Sequence, residues 1–214
     1  MEKEIIENII KFVEDYFEKD ASGHDFYHTL RVYKLARKIA EKEKADIFLT
    51  SIIALLHDVD DCKIVGEKGE LFENTKKVLQ QNNFNDEMIN LICSEISKIS
   101  FKGNGVNKPV TLEGKIAQDA DRIDDLGAIG IARTFTYGGS IGRTIYSPKI
   151  PIRDTVSEKD YIANTGTSIG HFYEKKLKLL DLINTEEARK LAMHRTQYIK
   201  DYLDEFFAEW EGIK

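Results

Sequence analysis

Apolar residues recur along most of this chain at helical spacing. Ile5, Ile6, Ile9, Ile10, Val13 and Phe17 follow the i, i+3, i+4 pattern of an amphipathic helix. A second helix is expected after Ser22-Gly23, carrying Leu30, Leu35 and Ile39. Asp46 suits the N-cap of a third, Ile47 to about Val59, because its side chain can accept from an unsatisfied N–H of the first turn. The stretch Ile52-Ile53-Ala54-Leu55-Leu56 is apolar nearly all round, which marks a buried helix. Periodicity predicts further helices at about 68–81, 85–98 and 111–136, with Asn85 or Asp86 capping the second of these. Two long helices are expected at about 158–182 and 185–211. Thr185 followed by Glu186 and Glu187 is a start signal for the last, since an oxygen cap and early carboxylates both suit a helix N-terminus. Strand signals are weak, so the expected fold is all-α.

Tyr137 to Val156 is the one long break in the pattern. It holds Gly138, Gly139, Gly142, Pro148 and Pro151, with Arg143, Lys149 and Arg153 among them. Roughly 20 residues without periodicity is long for a compact domain, where such segments tend to be functional loops. A surface excursion and a lid that carries cations to a phosphate both remain open. No internal repeat, low-complexity tract or linker stands out, so one domain over residues 1–214 is expected.

Composition narrows the class. Hydrophobic residues make up 42% of 214, enough for a real core. No run approaches the roughly 18 apolar residues of a membrane span. The start, Met1-Glu2-Lys3-Glu4, is charged and unlike a secretory signal. Cys62 and Cys93 form no metal or redox motif, so a reduced, cytoplasmic setting is expected. The net charge is −6, and no basic run is present. A large nucleic-acid partner is therefore not expected, whereas a small anion needs only two or three local cations.

His and Asp gather in three short stretches: His24-Asp25-Phe26-Tyr27-His28, His57-Asp58-Val59-Asp60-Asp61, and Asp119-Ala120-Asp121-Arg122-Ile123-Asp124-Asp125. The second is the most telling. An apolar helix ending in His-Asp brings an imidazole and a carboxylate to the edge of the core, where unpaired burial is expensive. A divalent ion would supply a common partner. Mixed imidazole and carboxylate donors suit Mn, Fe, Co, Ni or Zn rather than Ca. The adjacent pair cannot fill a site alone, and His28 and the Asp119/Asp121 cluster are the candidates to complete it. Taken singly, each is ordinary: a lone helical His is usually structural, and an Asp-Arg neighbour pair is usually a surface ion pair.

Together, His28, His57-Asp58 and Asp121 reproduce the His…His-Asp…Asp signature, and the chain resembles the HD-domain superfamily of metal-dependent phosphohydrolases. The contexts H-x-x-R-V (28–32), A-L-L-H-D (54–58) and D-A-D-R (119–122) match too. The likeness to a small bacterial and archaeal branch of predicted HD hydrolases runs along nearly the whole chain. It is carried by G-H-D-F-Y-H (23–28), I-S-F-K-G (99–103), the stretch 118–135, Y-G-G (137–139), H-F-Y-E-K (171–175) and W-x-G (210–212).

The resemblance implies an HD-domain helical bundle with additional C-terminal helices. Its metal-binding core would span about 22–136, its loop about 137–156 and its C-terminal helices about 158–211. It also implies one divalent ion, manganese foremost with Fe, Co, Ni, Zn or Mg as alternatives, on His28, His57, Asp58 and Asp121, Asp121 being preferred over Asp119. The substrate would be a small phosphorylated molecule, a nucleotide foremost, cut as a triphosphate pyrophosphohydrolase or a phosphomonoesterase would cut it.

Many HD enzymes carry Glu three residues after the metal-binding Asp, where this chain has Asp61. If the third helix continues, Asp61 stands one turn from Asp58 and is the candidate base or water-orienter, with Asp60 as fallback. Arg31, Lys63 and Lys102 are candidates to hold phosphate oxygens, and Arg122 is another that could instead brace Asp121. His24 and His171 have no derived role. Two rival readings stand beside this one. A zinc protease would use His24 and His28 in the manner of H-E-x-x-H, but Asp replaces the Glu. A catalytically silent nucleotide-binding or sensor module would keep the fold without turnover. The aromatic last helix, with Tyr198, Tyr202, Phe206, Phe207 and Trp210, could close the core or form a homodimer face.

Overall fold

The computed structural model describes residues 2–18, 25–60, 72–99, 108–153 and 166–214. Among them every regular element is helical, as the periodicity predicts. The chain divides into two compact units, residues 1–102 with 106–121, and residues 103–105 with 122–214. No helix among the described residues is long and apolar enough to cross a membrane.

The first unit is built round α3 (Ile47–Leu56), against which α1 (Glu2–Phe17), α2 (Phe26–Glu43) and α5 (Asp86–Ile96) pack. Asp46 caps α3 as expected, its side chain accepting from the N–H groups of Phe48 and Leu49 at 2.8 and 3.0 Å. Ile52 to Leu56 are completely buried. The two hydroxyls in this apolar rod are satisfied locally, Thr50 Oγ1 donating to the Asp46 carbonyl and Ser51 Oγ to that of Ile47. Full burial of each Leu or Ile contributes about 1.5–3 kcal/mol, so α3 is the main stabilising element of the unit.

Two boundaries differ from expectation in this half. The third helix stops at Leu56 and not near Val59, and residues 57–60 form a turn. The His57 ring is one cause: its Nδ1 lies 2.8 Å from the Ala54 carbonyl, the acceptor that another turn of helix would offer to the Asp58 N–H. The helix expected at 68–81 is described from Glu73 to Gln81 (α4).

The helix expected over 111–136 proves to be two, α6 (Leu112–Asp124), most of which belongs to the first unit, and α7 (Gly127–Ser140) in the second. Gly127 takes a left-handed φ of 68°, and a Cβ on Gly130 would lie 2.2 Å from the Asp125 carbonyl oxygen. Both glycines are thus required by the turn that breaks the helix. The break in periodicity placed at 137–156 begins later, since α7 runs to Ser140. The described part of it is tied down. The Ser168 and Ile169 N–H groups donate to the carbonyls of Thr144 and Ile145 at 3.0 Å, and Arg153 Nε meets Glu174 Oε1 at 2.8 Å.

The long helix expected at 158–182 is described as a short α8 (Ser168–Glu174) followed by a 3-10 segment (Lys176–Leu182). The last helix, α9 (Glu186–Trp210), matches its expected span. Its aromatic face packs within this unit, Tyr146 meeting the rings of Phe206, Phe207 and Trp210 edge-on and Phe172 meeting Tyr202.

Candidate metal centre

His28 comes from the first turn of α2. Asp25 caps that helix, its Oδ1 accepting the His28 N–H at 2.7 Å, so the cap fixes where the imidazole enters the core. His57 and Asp58 follow the end of α3, and Asp121 lies on α6. All four belong to the first unit. His28 is fully buried, and His57 and Asp58 are 2% and 4% exposed. Asp121 keeps 26% of its side chain open, against 6% for Asp58 and 0–1% for the two imidazoles.

The polar ends converge. His28 Nε2 lies 3.4 Å from Asp58 Oδ2 and 3.4 Å from Asp121 Oδ1. His57 Nε2 lies 3.3 Å from Asp58 Oδ2 and 3.8 Å from Asp121 Oδ1. One ligand atom each from His28, His57 and Asp58 fits within 4.8 Å of the others. His57 Nε2 is buried with no aligned hydrogen bond. Its Nδ1 faces the Ala54 carbonyl, which favours the tautomer protonated at Nδ1 and leaves the Nε2 lone pair directed at the carboxylates.

This donor set fits a divalent ion. Nitrogen and oxygen ligands at about 2.0–2.2 Å from one ion stand roughly 3.0–3.6 Å apart, close to the spacings seen. Electrostatics agree. Burial alone would depress the His57 pKa, but the Asp58 and Asp121 carboxylates reverse the shift and raise it. Burial alone would raise that of Asp121, but a hydrogen bond from His28 and the charge of the imidazoles hold it below the usual carboxylate value. Both directions describe a centre that favours positive charge.

Asp119 and Asp121 stand two residues apart on α6, roughly 200° round the helix, so they cannot share a face. Asp121 is the one at the imidazoles, and Asp119 is buried elsewhere. The other candidates separate. Asp60 accepts on Oδ1 from the Asn74 N–H and side-chain amide, and on Oδ2 from the Thr75 N–H at 2.8 Å. It thereby caps the start of α4, and both oxygens are occupied. Arg122 is buried and donates to the Leu182 carbonyl, so its guanidinium braces the 3-10 segment of the second unit. Arg31 stands one turn beyond His28 on α2, half-buried. Asp61, Lys63, Lys102 and His24 lie outside the described residues. The helix on which the expected place of Asp61 depended ends at Leu56, and residues 57–60 form a turn.

Two features escaped the sequence reading. The cap by Asp25 had a signal, an Asp three residues before a helical His. The gathering of Lys175, Lys176 and Arg133 round Asp125 had only the Lys-Lys pair beside His171 to announce it.

Known proteins share this arrangement of chain. A family model described as the HD domain matches residues 25–126. Bacillus subtilis YpgQ is 32% identical over 209 residues, which span 97% of this chain and 94% of YpgQ. The crystal structure of YpgQ in complex with ADP superposes with a TM-score of 0.77 at 31% identity, over 98% of this chain and 100% of that one. An HD-superfamily hydrolase from Bacillus thuringiensis is 42% identical with a TM-score of 0.77, over 99% of both chains. A Lactobacillus plantarum protein reaches a TM-score of 0.85 at 37% identity, over 97% of both chains.

Proposed function

The chain belongs to the HD-domain superfamily, and from that premise we propose that it is a divalent-metal-dependent phosphohydrolase acting on a small phosphorylated substrate, a nucleotide foremost. The convergence of two imidazoles and two carboxylates at 3.3–3.8 Å carries this reading. The nucleotide preference is supported by YpgQ, which is similar over its whole length and was crystallised with ADP. The whole chain acts as one hydrolase in this reading.

His28, His57, Asp58 and Asp121 would hold the ion, with manganese as the proposed metal. When bound, it would lower the pKa of a water from about 15.7 toward neutrality and draw charge from a phosphoryl oxygen. The protein's own part is to fix the donors. Asp25 sets His28, the Ala54 carbonyl sets His57, and α6 presents the partly open Asp121. Both oxygens of Asp60 are taken by the α4 cap, so the role of base or water-orienter falls to Asp61. Arg31, Lys63 and Lys102 are assigned to phosphate oxygens. Arg122, engaged with the Leu182 carbonyl, is not.

A panel of nucleoside mono-, di- and triphosphates incubated with Mn, Mg, Co or Ni tests the reading, with orthophosphate and pyrophosphate scored separately. Release of one or the other from at least one class, abolished by a chelator and restored by metal, is expected. Tight nucleotide binding with every metal and no release would instead identify a silent binding module.

A further inference from the structure

The turn that carries His57 and Asp58 is tied at both ends. At its start the His57 ring meets the Ala54 carbonyl, and the Val59 N–H donates to the Leu56 carbonyl at 3.2 Å. At its far end Asp60 accepts three hydrogen bonds from the start of α4. Its Oδ1 takes the Asn74 N–H at 3.1 Å and the Asn74 side-chain amide at 3.0 Å, and its Oδ2 takes the Thr75 N–H at 2.8 Å. Asp58 lies between these two ties, and its neighbour Val59 is fully buried.

The start of α4 has no cap of its own. Phe72 stands at the N-cap position, offers no side-chain acceptor and takes a left-handed φ of 62°. That backbone is unfavourable for a residue with a Cβ, and it persists only where the surroundings hold it. Asn74 and Thr75 are the second and third residues of the helix, and theirs are the N–H groups that a cap side chain normally satisfies. Here the cap comes from a carboxylate 14 and 15 residues earlier in the chain. A Ser, Thr or Asp at position 72 could have served the helix alone. A cap supplied by residue 60 also fixes the backbone two residues after Asp58. With both oxygens engaged, the carboxylate is held against rotation as well as translation. The ligand turn needs such an anchor, because a metal constellation tolerates only about 0.5 Å of displacement.

We propose that Asp60 is a positioning residue, whose cap on α4 sets the 57–60 turn so that His57 and Asp58 meet His28 and Asp121. The inference rests on the reading of those four side chains as the seat of a divalent ion. Asp60 acts through the backbone, and neither as a ligand nor as a base.

Mn affinity of the full chain, freed of metal by a chelator and followed by the electron paramagnetic resonance of the unbound ion, tests this without recourse to turnover. Asp60→Ala should bind Mn about tenfold more weakly than the parent, or worse, as losses of supporting partners do. Asp60→Asn should stay within about threefold of the parent, since Asn caps a helix as well as Asp. Val13→Ala, which opens a cavity under the fully buried α1 face of the same unit, should lower Tm and leave Mn affinity unchanged. If Asp60→Ala unfolds the chain, Asn74→Ala decides, with a loss of about threefold for the one hydrogen bond removed. Parental affinity in the folded cap variant would overturn the proposal: with turnover lost in Asp60→Ala it would make Asp60 a base, and with turnover kept it would leave a cap of α4 alone. An equal loss in Val13→Ala would also overturn it, by showing that any loosening of the unit weakens the site. A parent chain that binds no Mn would overturn the metal reading and this inference together.

Discussion

Asp58→Ala is expected to cut metal-dependent phosphate release by about 10³-fold or more while leaving the chain folded. Losing an outer-shell partner of a metal ligand typically costs about 10–100-fold, and Asp58 is a proposed direct donor. Its Oδ2 lies 3.4 and 3.3 Å from the two imidazole Nε2 atoms, where Asp121 Oδ1 lies at 3.4 and 3.8 Å. Stability without metal should not suffer in proportion. Asp58 raises the pKa of Asp121, meaning that the two carboxylates repel each other, and the substitution removes that repulsion. The readouts are turnover with Mn and the rise in Tm on adding it. Binding of an ion by the folded state alone raises Tm by mass action, and the variant should lose this rise. Turnover equal to that of the parent would mean that the chemistry lies elsewhere.

Glu95→Ala should destabilise the first unit by about 2–4 kcal/mol, because it strands several donors at once. Glu95 lies on α5, 1% exposed. Its oxygens accept from the Thr111 N–H and hydroxyl at 2.9 and 2.8 Å, from the Val110 N–H at 3.2 Å, and from Lys98 Nζ at 3.1 Å. Thr111 Oγ1 in turn accepts from the Gly114 N–H at 3.0 Å. The start of α6, the helix that carries Asp121, is thus held from another helix. For a chain of this size the loss corresponds to a Tm fall of roughly 5–15 °C.

The effect should depend on pH. Burial would raise the Glu95 pKa, but the bonds from Thr111, Val110 and Lys98 prevail and lower it below 4.5. A carboxylate depressed by folding contributes fully above its unfolded value and loses that contribution as pH falls through the folded one. The gap in Tm between parent and Glu95→Ala should therefore be constant above about pH 5 and narrow below about pH 4. A gap unchanged down to about pH 3 would show that the charge of Glu95 contributes nothing.

Local chemistry explains what could be read in advance. The α3 rod and its cap were plain because Asp46 and five consecutive apolar residues act within one helix, and the His57-Asp58 pair at its end stood out against them. His28 was different: alone it is an unremarkable helical histidine, a candidate only because the His57-Asp58 pair needed a further imidazole, and the resemblance is what implied it as a ligand. Asp121 was preferred over Asp119 because of the resemblance, and it is the Asp121 carboxylate that lies 3.4 and 3.8 Å from the two imidazoles. The break between α6 and α7 was hidden, because the apolar period runs straight through Ile123 and Leu126. It is made by contacts distant in sequence, Arg195 donating to the Ile123 carbonyl and two lysines holding Asp125, which a local pattern cannot announce. The occupation of Asp60 was hidden likewise, since its partners Asn74 and Thr75 belong to the next described helix.

Anomalous diffraction from crystals grown with Mn tests the central claim most directly. One peak is expected, within about 2.3 Å of donor atoms from His28, His57, Asp58 and Asp121 together. A strong peak elsewhere in the chain, with nothing among these four side chains, would contradict it.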